Sequence, residues 1–517
     1  MDQVEFPRTA DGRRSSSALG RAVVSDALRA VDPVAADAAA AEPDWRRRYL
    51  PHLRALVEAG LGTGGPDGVP GGAGYDIARA GLAAVHARMR VARPDGDVPL
   101  DEVFDAPVDR PLETLTLHGS GPAERELTVP YRGALLRGAA LDRQLDAWVA
   151  AGAVEPSCAE AVREVAANPD WLDLSDQRVV VLGAGSEMGP LQALLSWGGT
   201  VVGIDLPRPD LWARVGAAAA RHAGRLLVPV APGQAGAGRG GTGIQPAGGA
   251  GIQPAGGAGI EQAGVDLLGG LPAVAQWLLG VEGRLVLGNY VYADGAAYVR
   301  LSAAVDALGV HLQRRRPDLA LAFLATPTDV FAVPADAVAH AGAAYRTTAR
   351  FRPIRRPLRA VSGGRLLVPN YPAGADPGVN DSLVPQQGPN YALAKRVQRW
   401  RATAARAAGT TVSFAVAPPT RTRSVLRNRM LAAAYAGAHV FGVEVFDPAT
   451  SNRLMAALLV HQLRRPRPAA PAAWTDEAFA AAHGGLWRIA YQPRSALGLA
   501  AVLGLPGVVG RSTRPAG

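Results

Sequence analysis

Two residues one helical turn apart, Tyr391 and Lys395, have the types and spacing for proton transfer. The run from Asn390 to Ala408 sets Leu393, Val397 and Trp400 on one face, which predicts a helix. On a helix, an i, i+4 spacing puts a phenol and an ammonium on the same side. A neighbouring cation stabilises a phenolate, so Lys395 is expected to draw the Tyr391 pKa from about 10 towards neutral. A phenol tuned in that way exchanges a proton with a carbonyl or alcohol oxygen.

A second group of residues has the chemistry of phosphate and ribose recognition. Val179 to Leu182 are consecutive apolar β-formers, suited to a strand buried on both faces. The glycine loop Gly183-Ala-Gly185-Ser-Glu-Met-Gly189 follows, then a helical run from Leu191 to Trp197. A second buried strand, Thr200 to Ile204, is closed by Asp205. The order is β-α-β. Gly183 permits a tight turn, Gly185 admits close approach of a pyrophosphate, and Gly189 lets helix and strand pack. The helix N-terminus is expected to offer free N–H groups to phosphate. Asp205 sits where a carboxylate accepts from both ribose hydroxyls of NAD. The cofactor expected is NAD or NADP. Asp205 favours NAD, since a 2′-phosphate would meet its charge, while Arg208 nearby weighs the other way. Asp266, ahead of a helix from Pro272 to Leu279, either meets the adenine amino group or caps that helix.

Other strands and helices must hold these groups. Arg225 to Val230, Arg284 to Tyr292, Leu319 to Ala325 and Thr411 to Ala417 read as further strands. Helices are expected near Leu211 to Ala223, Ala296 to Arg314 and Ala335 to Ala344. The fold class is therefore α/β, a doubly wound, mostly parallel Rossmann sheet with helices on both faces. Residues 1–75 read as poorly ordered or helical, with Gly60 to Gly74 a mobile linker, and residues 76–175 as a helical accessory region. In that region Tyr131 and Arg132 read as core or surface residues. The dinucleotide-binding domain spans 176–430. It is interrupted at 233–264 by a Gly-rich insertion with GIQPAGGA in tandem, expected to be disordered. Residues 350–390 read as a lid or substrate loop, with a β-hairpin from Pro357 to Asn370 turning at Ser362. Residues 431–517 form a C-terminal extension on the substrate side. It holds a buried strand from Ala438 to Phe446, a helix from Ser451 to Leu463 and a broken helix from Glu477 to Leu503. Arg427, Arg429 and His439 read as surface or core residues before they read as ligands of an anionic substrate.

Bulk properties narrow the classes. The 517 residues are 48% hydrophobic and 19% charged, the balance of a soluble globular chain. The net charge of +9 comes from arginines without interleaved aromatics, which argues against nucleic-acid binding. Cys158 is the only cysteine and the histidines are scattered, so neither a disulfide nor a metal site is expected. No apolar window is long enough for a membrane span and no leader pattern opens the chain, which reads as cytoplasmic without a membrane partner. Self-association into a homo-oligomer is left open.

From about residue 176 to 430 the chain resembles the short-chain dehydrogenase/reductase superfamily. The glycine loop agrees at its first and last glycines, with Met188 at the family's apolar position and Ser186 within the cofactor loop. Glu187 stands where a middle glycine is usual. Asn289 in LGNYVY falls at the family's fourth-strand asparagine. Tyr391 and Lys395 align with the catalytic pair, and the resemblance gives Lys395 the nicotinamide ribose as well. Pro418 and Thr422 lie where the family holds the carboxamide, with Pro419 in place of a glycine. The family's serine closing the fifth strand is absent. Thr326 is preferred in its place, with Thr328 or Ser382 as rivals. The resemblance implies hydride transfer between nicotinamide and a small carbonyl or alcohol substrate, with Tyr391 as general acid/base. An epimerase or dehydratase of the extended family, or a dinucleotide-binding protein without catalysis, are the alternatives.

Overall fold

A computed structural model describes residues 2–62, 64–65, 68–105, 107–234, 259–348 and 352–512. The strands in chain order begin with β1 (Gln3–Glu5), β2 (Arg90–Arg93) and β3 (Gly96–Pro99), a small antiparallel sheet. Next come β4 (Glu113–His118) and a short hairpin of β5 (Val129–Tyr131) and β6 (Ala134–Leu136). Then follow β7 (Gln177–Leu182), β8 (Thr200–Ile204), β9 (Arg225–Val230), β10 (Arg284–Asn289) and β11 (Ala320–Ala325). The last are β12 (Val330–Val333), β13 (Gly378–Asp381) and β14 (Val412–Val416). Seven of them form one mostly parallel sheet in the order β14-β11-β10-β7-β8-β9-β4, and the protein is mixed α/β.

The parallel register follows from the apolar runs. Val179 of β7 faces Val286 of β10 on one side and Val201 of β8 on the other. All three valines are buried, as a strand covered on both faces requires. At the edge β4 runs antiparallel to β9, with Leu117 opposite Leu226.

The chain divides into two compact units. The first gathers Met1–Arg8, His86–Leu127 and Pro169–Ala322. The second gathers Thr9–Val85, Thr128–Asn168 and Phe323–Gly517. In the second unit the N-terminal residues form capped helices. Ser15 accepts the Ala18 N–H ahead of Ser16–Leu28, and Asp32 accepts the Ala35 N–H ahead of Pro33–Ala41. The helix Gly388–Ala407 starts with Pro389 in its first turn and ends before Gly409, whose φ of +84° stops it. It buries Leu393, Val397 and Trp400, and Gly81 leaves the Trp400 ring the space a side chain would fill.

Several expectations are corrected. The expected hairpin from Pro357 to Asn370 is instead a helix, Arg352–Val361, with Pro357 inside it. Gly363 and Gly364, both at positive φ, end that helix rather than turn a hairpin. Beyond it, Gly378–Asp381 (β13) pairs antiparallel with β12, with Phe331 opposite Asn380, so part of the expected loop is strand. The expected strand Ala438 to Phe446 begins as a 3-10 turn, Ala438–Phe441, and is broken by Gly442 at φ +85°. The expected helix Glu477 to Leu503 is two helices, Ala473–Ala478 and Pro493–Ser512, joined by a buried irregular stretch around His483 and Trp487. Of the insertion at 233–264, residues 235–258 lie outside the described residues. Its last residues are packed: Ile260 is buried, and Gly216 leaves room for it.

Candidate active site

The second unit brings Tyr391, Lys395 and Thr326 into one neighbourhood. Thr326 follows the last residue of β11, and Tyr391 lies in the first turn of Gly388–Ala407. The Tyr391 phenol lies close enough to Thr326 and Gln387 for both to act on its pKa. Thr326 and Thr328 hydroxyls lie 2.8 Å apart, and the Thr328 hydroxyl donates to Gln387 Oε1 at 2.9 Å. One turn on, the Lys395 ammonium donates to the Leu324 carbonyl and to Gln398 Oε1, each at 3.1 Å. Sequence spacing pointed to Tyr391 and Lys395, and the family resemblance to Thr326 or Thr328 after the fifth strand. Neither pointed to Gln387, which reaches the cluster from the turn ahead of the helix.

The electrostatics differ from expectation. Burial raises the Tyr391 pKa to about 12, against the lowering effect of the neighbouring Thr326 and Gln387 side chains. The nearby Asp329 carboxylate adds to the rise. Burial also pulls Lys395 down to about 8, with Asp329 acting to raise it. The phenol is therefore held protonated at neutral pH rather than made acidic, because desolvation outweighs what its neighbours supply.

Beneath the cluster lies a buried ionic network. Asp329 accepts from Arg396 at 2.8 Å and from Arg399 at 2.6 Å. Arg399 also pairs with Glu477 and lies over the Phe331 ring at 4.0 Å. Burial works to raise the Asp329 pKa, but the two guanidiniums win and hold it below its ordinary value. The network fixes the turn after β11 on the helix that carries Tyr391.

The other expected residues of this unit have local tasks. Ser382 is buried and donates to Asn380 Oδ1 at 2.5 Å. Thr422 caps the short helix Arg423–Arg427 by accepting the Val425 N–H. Pro418 gives its carbonyl to the Thr420 hydroxyl at 2.8 Å. Tyr131 donates to Glu444 at 2.9 Å and Arg132 pairs with the same carboxylate. Arg427, Arg429 and His439 are exposed.

The glycine loop belongs to the first unit and is closed on itself. Gly183 and Ala184 donate to the Ile204 carbonyl at 2.8 and 3.1 Å. Ser186 donates to the Gly183 carbonyl and Gly189 to the Ser186 carbonyl. The Met188 N–H reaches Ser186 Oγ at 3.4 Å. Asp205 accepts from Gly185 and Leu206, both at 2.8 Å, and burial raises its pKa. The helix after the loop is Leu191–Ser196, six residues long, and it is preceded by Pro190, which has no N–H. The N–H groups of Gly183, Ala184, Gly185, Ser186, Met188 and Gly189 are thus engaged inside the protein. Gly183 needs its glycine, with φ +89° and a would-be Cβ 2.8 Å from the Tyr290 carbonyl. Gly189 does not: a Cβ there would meet Val181 at an ordinary 3.6 Å. Asn289 is buried at the end of β10. Asp266 accepts the Leu268 N–H, and Gly270 takes the N-cap of Leu271–Leu279, so the capping alternative for Asp266 does not hold.

Two cavities stand out. The larger, about 680 Å³, opens at the amino ends of β7, β8 and β9 beside Arg178, Thr200 and Arg225, away from the strand ends where ligands of open α/β sheets sit. The smaller, about 80 Å³, is an apolar cavity in the second unit that includes Thr328 and Tyr435 in its wall. Among the described residues no cluster of His, Cys, Asp or Glu is placed to hold a metal ion, and no helix is long and apolar enough to cross a membrane. Comparison with protein-family models, curated proteins and solved structures returns no match.

Proposed function

We propose that the chain is an NAD(P)-dependent oxidoreductase of the short-chain type, acting on a carbonyl or alcohol. The observation that carries this reading is the placement of Tyr391 beside the hydroxyl that follows β11, close enough for Thr326 to lower its pKa, with Lys395 one turn along the same helix. The strand order β9-β8-β7-β10-β11-β14 supports it, since it follows the 3-2-1-4-5-6 order of the doubly wound dinucleotide fold.

A dinucleotide fits the residues in two unequal halves. Asp205 closes the second strand of the unit and retains acceptor capacity for ribose hydroxyls beyond its two backbone partners. The pyrophosphate half finds the loop's N–H groups already donating, so binding requires the loop to exchange those partners. Bound nicotinamide supplies or accepts hydride. This chain supplies the proton: Tyr391, protonated at neutral pH, donates to a carbonyl oxygen that Thr326 orients. Lys395, one helical turn on and with its ammonium bonded to the Leu324 carbonyl, would favour negative charge as it develops on that oxygen.

Calorimetric titration of NADH and NADPH into the intact protein tests the cofactor. Saturable binding of either is expected, with NADH the tighter and with that preference lost in Asp205→Asn. Failure of both nucleotides to bind removes the reading.

A further inference from the structure

The apolar cavity of the second unit names a substrate class, and the argument rests on the proton-transfer reading of Tyr391. Its wall comes from Leu383, Val384, Leu431, Phe441, Val443 and Ile489, with further apolar groups of two helices, Arg429–Gly437 and Pro493–Ser512. Four side chains bring polar atoms to it: Thr328, Ser382, Tyr435 and Arg494. Ser382 is already donating to Asn380. Arg494 is the one charged residue of the lining, and it is paired with the buried Asp381 at 2.9 Å. A second anion in this cavity would find no unpaired cation and would pay the cost of desolvation.

The cavity adjoins the proton-transfer cluster. Thr328 stands in its wall and its hydroxyl lies 2.8 Å from that of Thr326, which is near enough to Tyr391 to act on its pKa. Tyr435, also in the wall, is near enough to Tyr391 for the charge of one phenol to act on the other; burial, the larger cause, raises the Tyr435 pKa as well. The two covering helices meet backbone to backbone. A Cβ on Gly437 would run into the Ala500 carbonyl, and one on Gly504 into the Ala433 carbonyl. Such a crossing leaves the wall little room to yield, so the cavity admits a slim chain and not a bulky ring system.

We infer that this cavity binds the uncharged aliphatic part of a small ketone or secondary alcohol, whose oxygen lies at the Thr328–Thr326–Tyr391 cluster. The ligand is recognised by burial of its chain, and discrimination against a charged analogue comes from the unpaid desolvation of that charge.

The test uses the intact protein and two probes, methyl butyl ketone and the keto acid that carries a carboxylate at the far end of a chain of the same length. Binding is read by calorimetry or by ligand-observed NMR, so that turnover is not needed. The ketone is expected to bind at least about tenfold more tightly than the keto acid, the scale on which hydrophobic pockets discriminate. Ala434→Phe and Leu431→Phe, each filling the cavity, are expected to abolish ketone binding while the thermal transition stays cooperative. Equal binding of the two probes, no ketone binding, or unchanged binding in both filled variants overturns the proposal. The comparison of probes on the wild-type protein stands even where a filled variant does not fold. Ketone binding without hydride transfer from any reduced nucleotide keeps the cavity and removes the oxidoreductase reading instead.

Discussion

Tyr391 and Thr326 are close neighbours, one in the first turn of Gly388–Ala407 and the other just after β11, and the Thr326 hydroxyl acts to lower the phenol's pKa. The pair joins a strand end to a helix start, the place where open α/β sheets carry chemistry. Thr326→Ala should lower kcat by roughly 10²- to 10³-fold, as loss of one positioned hydrogen bond to the developing oxyanion does. Thr326→Ser should restore most of it, because the hydroxyl and not the methyl acts. A loss of similar size in both variants, measured by steady-state kinetics, would assign Thr326 to packing alone.

Lys395 gives a stability signature. Burial lowers its pKa to about 8 in the folded chain, below the value of about 10.4 for an exposed lysine. Between those values the unfolded chain holds a proton that the folded chain lacks, so folding stability rises with pH. Wild type should therefore gain on Lys395→Met between pH about 8 and about 10, and the gap should be flat below pH about 7. Chemical denaturation across that range measures it. A gap independent of pH would contradict the buried amine.

An acid-sensitive brace lies in the same unit. Glu155 receives Arg488 at 2.6 and 2.7 Å and His483 at 2.8 Å, with His483 stacked on Trp487. Burial raises the Glu155 pKa, but the bonds from Arg488 and His483 more than offset it and bring the carboxyl to about 2. The folded pKa is depressed, so this contribution is present above the unfolded value of about 4.3 and is lost as pH falls towards about 2. Glu155→Gln should destabilise the protein at neutral pH by roughly 3–5 kcal/mol, since it breaks a buried pair, and should flatten the acid limb of stability against pH. An acid limb as steep as that of the wild type would show that other carboxyls govern it.

The glycine loop separates a glycine that is required from one that is not. Gly183→Ala places a side chain at φ +89° against the Tyr290 carbonyl and should cost roughly 1–3 kcal/mol. Gly189→Ala meets only ordinary contacts and should lie within about 0.5 kcal/mol of the wild type. Thermal unfolding of the two variants checks the order. Equal costs would mean that the loop adopts another conformation in solution.

Much of the sheet was legible in the sequence because its strands are buried on both faces. Thr200 to Ile204 and Arg225 to Val230 coincide with β8 and β9 residue for residue. Misreadings came where local pattern and tertiary context disagree. Ser362-Gly-Gly has the composition of a hairpin turn, yet the preceding residues, with Pro357 among them, continue a helix. The alternation in VFGVEVF suggests a strand, but Gly442 sits in the left-handed region and the chain turns there. Tyr391 and Lys395 were visible through their spacing. Gln387, Tyr435 and the Asp329–Arg396–Arg399 network were not, because segments distant in sequence assemble them. Nor could the sequence show that the glycine loop's donors are spent within the loop and on β8. Hydrogen-bond satisfaction is a property of the folded chain.

The most direct measurement is carbonyl reduction by reduced nicotinamide dinucleotide in wild type and in Tyr391→Phe, followed by nucleotide absorbance, with cofactor affinity titrated in parallel. The account predicts a loss in kcat of about 10²- to 10⁴-fold with unchanged cofactor affinity, the range for removal of a positioned general acid. Turnover in the phenylalanine variant equal to that of the wild type would contradict it.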